Sequence, residues 1–337
     1  MARTAPHPQP PVVVITGASS GIGKATALRF AREQGAHLVL AARREEALEE
    51  TARACERAGG RALAVPTDVT RREEVEALAR RAVEAYGRLD VWVNNAGVGS
   101  IGPLLSTPPE TFQRVIDTDL MGYVHGARAA LLQFRAQGGR GTLVNVGSIA
   151  SRVVSPYALA YFSAKHAVRA FSLGLRQEVR EEGMAHVQVC LVNPGVIDTP
   201  FVPHTANHVH HPLRAGPLAG APERVARAIV SLPRRPRREV FVGHLPRLAR
   251  TAELLAPALT ERVMARALGR AFRSGPPLAG ATDASLFTPV QEGTGVSGGW
   301  RERFRGVRWA VGAVGAVGAL AAGLPLALGA RRLLAAR

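Results

Sequence analysis

Short apolar runs alternate along this chain with longer stretches whose apolar positions recur every three or four residues. The runs Val12–Thr16 (VVVIT), 37–41 (HLVLA), 61–65, 91–93, Gly141–Val146, 186–192 (HVQVCLV) and Glu239–Val242 predict strands. The continuously apolar ones predict burial on both faces, because a strand covered on one side alternates apolar with polar. The segments 24–34, 45–58, Arg72–Tyr86, 109–136 and 157–182 predict helices. This β-α alternation implies an α/β fold with a mostly parallel, doubly wound sheet and helices on both faces.

The chemistry gathers where the predicted strands end. The first strand runs into Gly17, Ala18, Ser19, Ser20, Gly21, Ile22 and Gly23, and then into a helix. Glycines there let backbone approach a pyrophosphate, with free N–H groups and the helix dipole facing it. The second strand ends in Ala42, Arg43 and Arg44. An acidic residue at that point would bind the ribose 2′-hydroxyl of NAD, whereas two guanidinium groups suit a 2′-phosphate, so NADP(H) is expected over NAD(H). Asp68, beside Val69, is placed either to accept from an adenine amino group or to cap the next helix. Asn94, Asn95, Ala96 and Gly97 end the fourth strand, where small and amide side chains leave room for a cofactor and tie strand ends together.

Ser148 follows the strand Gly141–Val146, and Tyr161 and Lys165 lie four apart on the following helix, hence on one face. An ammonium close to a phenol favours the phenolate and lowers its pKa from about 10. Such a tyrosine passes a proton to or from a substrate oxygen that a serine hydroxyl holds. Alone, a tyrosine and a lysine at this spacing are an ordinary surface pair. Composition argues otherwise: Lys24 and Lys165 are the only lysines among 43 basic residues. In a chain that uses arginine nearly everywhere, a compact ammonium at 165 suggests a geometric need.

Together these residues resemble the short-chain dehydrogenase/reductase family. The likeness covers about 12–243 and rests on T-G-x-x-x-G-x-G from Thr16, N-N-A-G from Asn94, Ser148, Y-x-x-x-K from Tyr161 and P-G at Pro194 and Gly195. The resemblance implies a Rossmann fold, a nicotinamide cofactor and an enzyme that interconverts a carbonyl and a secondary alcohol. Tyr161 would be the general acid/base, with Ser148 polarising the substrate oxygen. Lys165 would hold the nicotinamide ribose. Pro194, Gly195 and Val196 would contact the nicotinamide amide, with Thr199 as a donor. A homo-oligomer through the long central helices is also implied. One position departs: Asp119 stands where the family has the asparagine of N-x-x-G, which anchors a relay water behind the lysine. A carboxylate there accepts but cannot donate, and it would keep Lys165 cationic. The alternative is an impaired relay, in a cofactor-binding scaffold or sensor without turnover.

Outside this catalytic unit (12–245), residues 1–11 read as a disordered lead-in with no signal-peptide core. The loop 201–222 holds Phe201, Val202 and His204 as candidate lid residues. Its histidines 204, 208, 210 and 211 lack cysteine or carboxylate partners, so no metal is expected. Residues 246–273 read as a basic helical segment, 274–300 as a flexible linker and 301–337 as a candidate transmembrane helix with arginine flanks. Its uncharged core, 309–330, is long enough to cross about 30 Å of hydrocarbon. A tether there predicts a cytoplasmic catalytic domain at a membrane and a lipophilic carbonyl or alcohol substrate. The net charge of +17 raises nucleic acid as a partner, but the arginines are dispersed with little aromatic interleaving, so none is expected. Cys55 and Cys190 read as buried, reduced thiols.

Overall fold

In β1 (Val12–Thr16) every residue is buried, with Val13 and Ile15 entering one core and Val12 and Val14 the other. A strand covered by helices on both faces must be apolar at each position. The computed structural model containing it describes residues 9–243, 245–278 and 280–305. After β1 come α1 (Gly21–Gln34), β2 (His37–Ala42), α2 (Glu45–Arg57), β3 (Arg61–Pro66), α3 (Arg72–Tyr86) and β4 (Val91–Asn94). The second half comprises β5 (Ser100–Ile101), α4 (Pro109–Ile116), α5 (Gly122–Ala136), β6 (Gly141–Val146), α6 (Leu159–Glu181), β7 (Val187–Pro194), β8 (Ala206–Asn207), α7 (Pro222–Ser231) and β9 (Glu239–Val242).

Seven strands form one parallel sheet in the order β3-β2-β1-β4-β6-β7-β9. Phe30, Leu48 and Ile229 seal one face, and Leu78, Phe134 and Leu175 seal the other. The strand order reverses between β1 and β4, which opens a crevice at their carboxyl ends. The predicted α/β doubly wound fold is therefore the observed one. Cys55 and Cys190 are free and buried, and burial pushes the Cys55 thiol up to about 12.

Three expected boundaries moved for physical reasons. The single helix predicted over 109–136 is broken by a π-turn, Asp117–Met121, between α4 and α5. The helix predicted from 157 starts two residues later, because Tyr157 has a left-handed backbone (φ 67°) that cannot join a right-handed helix. The basic segment forms two helices, α8 (Leu245–Leu255) and α9 (Pro257–Ala271), interrupted at Ala256 (φ −149°). Pro257 has no N–H to continue the ladder and sits at a helix start. Residues read as a linker, 274–300, are folded back onto the sheet domain and lead into α10 (Trp300–Arg303). Among the described residues no helix is long and apolar enough to cross a membrane, and 309–330 lies outside them.

Candidate active site

Ser148 leaves β6 and caps a short 3-10 turn: its Oγ accepts from the Ala150 amide at 3.1 Å, and its own amide donates to Ser151 Oγ at 3.2 Å. These two bonds hold Ser148 at the carboxyl edge of the sheet. Tyr161 lies in the first turn of α6, and one turn on the Lys165 ammonium sits 5.6 Å from the Tyr161 ring centre. Tyr161 and Lys165 share one face of α6, as their spacing predicts.

Asp119 stands behind Lys165 as the resemblance implied, and Tyr123 and the Val146 carbonyl are partners that spacing did not announce. The Lys165 Nζ lies 3.1 Å from Asp119 Oδ2 and donates to Tyr123 Oη at 3.3 Å and to the Val146 carbonyl at 3.4 Å. Burial opposes the ammonium, yet the Asp119 carboxylate outweighs it and holds Lys165 above the usual lysine range. Burial also pushes the Tyr123 phenol up to about 12, so it stays protonated and donates to Val146 O at 2.9 Å. Tyr161 departs from expectation. Its burial raises the phenol pKa, and Asp119 adds to that, against the pull of Lys165 and Ser148. Asp119 offsets the ammonium that was expected to lower it.

The π-turn delivers Asp119. One extra residue per turn rotates its fully buried side chain inward, where Oδ1 accepts from the Val98 amide at 2.7 Å. The Asn94–Gly97 stretch leaves just enough room, since a Cβ on Gly97 would lie 3.1 Å from Asp119 Oδ2. Asn94 accepts from Trp92 Nε1 and donates to Asn145 Oδ1 and the Tyr123 carbonyl, which ties β4, β6 and α5 together. Asn95 Nδ2 donates to the Thr16 and Gly17 carbonyls, while Thr16 Oγ1 accepts from the Asn95 and Ala96 amides. The Asn95 side chain thus clamps the glycine loop. Gly17 is held at φ +66° with its Cα side against Ala96, and a Cβ on Gly23 would strike the Gly17 carbonyl at 2.1 Å.

The expected adenosine ligands have other partners. Asp68 Oδ2 pairs with Arg114 at 2.7 Å, and Oδ1 accepts from the Thr70 amide and hydroxyl; Val69 is buried, its carbonyl against His125 Nδ1. Arg43 and Arg44 donate to carbonyls of residues 285–292, and Arg44 also reaches Ser19 Oγ at 3.4 Å. The Gly21 amide donates to the Gly295 carbonyl at 3.0 Å. Ser20 is the N-cap of α1, with Ile22 in its first turn. Past β7, Gly195 donates to the Val242 carbonyl, Val196 is exposed, and Thr199 faces Gly21. Phe201 packs against Tyr161 with ring centres 5.5 Å apart. The loop histidines diverge: His204 meets the Glu292 carbonyl, His208 lies 3.6 Å from Asp283, and His211 meets the Gly275 carbonyl.

Sequence reasoning missed Tyr123, Arg114 and Asp198. The first two lie on helices outside any recognised motif, so only their partners mark them. Asp198 accepts from Ser297 Oγ and the Gly298, Trp300 and Arg301 amides.

Comparison with known proteins gives the lineage. The short chain dehydrogenase family profile matches residues 11–209. The uncharacterized oxidoreductase YxnA of Bacillus subtilis is 39% identical over 254 residues, covering 75% of this chain and 71% of the relative. The 3beta-hydroxysteroid dehydrogenase 1 of Eggerthella lenta is 36% identical over 222 residues, 64% of this chain and 84% of that protein. A short-chain dehydrogenase/reductase from Burkholderia phymatum, solved in complex with NAD, superposes with a TM-score of 0.66 at 27% identity, covering 75% of this chain and 95% of that one. With the sheet order, the crevice and these matches in agreement, the chain belongs to the short-chain dehydrogenase/reductase family and is an oxidoreductase of the kind that works with a nicotinamide cofactor.

Proposed function

We propose that this oxidoreductase interconverts a carbonyl and a secondary alcohol, with Tyr161 as general acid/base and Ser148 holding the substrate oxygen. The observation that carries the reading is the convergence of Ser148, Tyr161 and Lys165 at the carboxyl edge of the sheet, behind the exposed Gly97. A nicotinamide dinucleotide suits the residues present. The Gly21 amide, Arg43 and Arg44 already hold oxygen acceptors, and Thr199, Gly97 and Val196 line the continuation of the crevice. When bound, the nicotinamide supplies or accepts the hydride. Tyr161 gives its phenolic proton to the carbonyl oxygen in reduction, or takes it from the hydroxyl in oxidation. Lys165 keeps a positive charge beside that exchange, and Asp119 holds Lys165 in place.

NADP(H) is assigned over NAD(H) because Ala42 ends β2 where a carboxylate would bind ribose hydroxyls, and two guanidinium groups follow it. Arg43→Ala therefore lowers the ratio of NADPH to NADH affinity by about 10-fold or more, the worth of a lost charge-assisted bond. Nucleotide fluorescence titration measures both affinities, and an unchanged ratio removes Arg43 from the 2′-phosphate.

The apolar contact of Phe201 with Tyr161 and the steroid named for one relative favour a lipophilic substrate. A tether at 309–330 would serve such a substrate; full-length protein that stays in the aqueous phase of a detergent partition argues against it. The test of the whole reading is NADPH and NADP oxidoreduction over a panel of ketones and secondary alcohols that includes hydroxysteroids. Turnover supports it. Tight cofactor binding without any turnover favours the sensor reading, toward which the fully engaged Lys165 ammonium points.

A further inference from the structure

Residues 282–300 run across the mouth of the crevice, and their polar bonds land on the groups that the adenosine and phosphate end of a dinucleotide needs. Thr282 exchanges backbone bonds with Asn207, and Ser285 donates from both its amide and its hydroxyl to the His204 carbonyl. Arg43 then donates to the Ser285, Leu286 and Phe287 carbonyls, the last at 2.9 Å. Arg44 donates to Val290 O at 2.7 Å and Glu292 O at 2.9 Å. Lys24 Nζ reaches Thr294 O at 3.1 Å, and the Gly21 amide at the start of α1 takes Gly295 O. The segment ends at Asp198, whose carboxylate accepts four bonds from Ser297 to Arg301, and at the buried Trp300.

One side chain of this strap is fully inside. Leu286 is 0% exposed in an apolar cluster with Val98, Val115, Ala160 and Ala206, and its carbonyl takes bonds from Arg43 and from Arg114. Arg114 in turn holds Asp68, the residue expected to meet the adenine amino group. An apolar body between Val115 and the Asp68–Arg114 pair, with oxygen acceptors on Arg43, Arg44 and Gly21, has the layout of an adenosine followed by its phosphates.

We infer that the strap 285–300 is an internal competitor of the cofactor: it occupies the adenosine-phosphate end of the crevice and must leave before a dinucleotide binds. The inference rests on the nicotinamide reading above. The exchange is physically open. A phosphate holds a guanidinium more strongly than neutral carbonyls do, so a dinucleotide phosphate repays the bonds that Arg43 and Arg44 give up. The affinity that a ligand shows is reduced by the fraction of molecules in which its site is free.

The test uses the full-length chain and two variants that loosen the strap away from the crevice, Trp300→Ala and Asp198→Ala. NADPH and NADH are titrated by fluorescence, and hydrogen exchange is followed on the wild type with and without saturating NADPH. If the strap is closed in nine molecules of ten, each variant tightens both nucleotides by about tenfold. NADPH then lowers protection at the Gly298, Trp300 and Arg301 amides. Weaker or unchanged nucleotide binding in the variants overturns the inference, since a strap that closes over bound cofactor predicts weakening. Unchanged or increased protection of those amides with NADPH overturns it as well, and that arm needs no variant to fold. If neither nucleotide binds the wild type or the variants, the cofactor reading itself falls and takes the strap with it. If the wild type binds, only the strap proposal is at stake.

Discussion

Tyr161→Phe lowers turnover by about 10²- to 10⁴-fold, the usual worth of a positioned general acid/base, while nucleotide affinity stays within about twofold. The phenyl ring keeps the contact with Phe201 and the apolar cluster around Val98 and Val115, so the fold loses only one hydroxyl. The Lys165 ammonium lies 5.6 Å from the centre of the same ring. Steady-state kinetics on the best substrate of the panel, with nucleotide titration alongside, separates the two effects. A variant that retains more than about a tenth of the activity would mean that another group moves the proton.

Asp119 carries the second large effect, and two substitutions divide its roles. Asp119→Leu leaves the Lys165 ammonium buried with only the Tyr123 hydroxyl and the Val146 carbonyl, and the cost of breaking such a pair is about 3–5 kcal/mol. Denaturant unfolding measures it. The Lys165 pKa is raised in the folded state, so its contribution is complete below the ordinary lysine value and is lost only as pH climbs through the higher folded one. The Lys165 share of that loss is therefore constant across neutral pH, and burial, which raises the Asp119 pKa, makes the remainder fade as acid neutralises the carboxylate. Asp119→Asn keeps an oxygen for the Val98 amide but removes the charge that raises Tyr161. The Tyr161 pKa then falls, and the alkaline limb of the reduction profile, where the phenol loses its proton, moves toward acid. A purely structural Asp119 would leave the pH–rate profile where it was and change only stability.

Much of the site is legible in the sequence. The glycine loop, Asn94–Gly97, Ser148, Tyr161 and Lys165 each sit at a strand end or a helical spacing, and one parallel sheet brings all strand ends to one edge. What stayed hidden was how these residues are paired. Local spacing puts Lys165 under Tyr161, but burial of the phenol outweighs the ammonium and reverses the expected direction of its shift, with the Asp119 carboxylate adding to it. Arg43 and Arg44 are where the β2 pattern places them, yet their partners lie some 240 residues onward in the chain.

Periodicity, the strand-end glycines and the Y-x-x-x-K spacing determined the fold, its crevice and the shared helix face of Tyr161 and Lys165, because each depends on backbone geometry over a few neighbouring residues. Tertiary structure alone decided the place of Tyr123 beside the Asp119–Lys165 pair and the course of residues 282–300 over the crevice. The reason is physical. A Gly-, Ser- and Pro-rich stretch has no periodic apolar face to announce a docking site, and its hold comes from backbone carbonyls, which every residue carries and no sequence pattern marks.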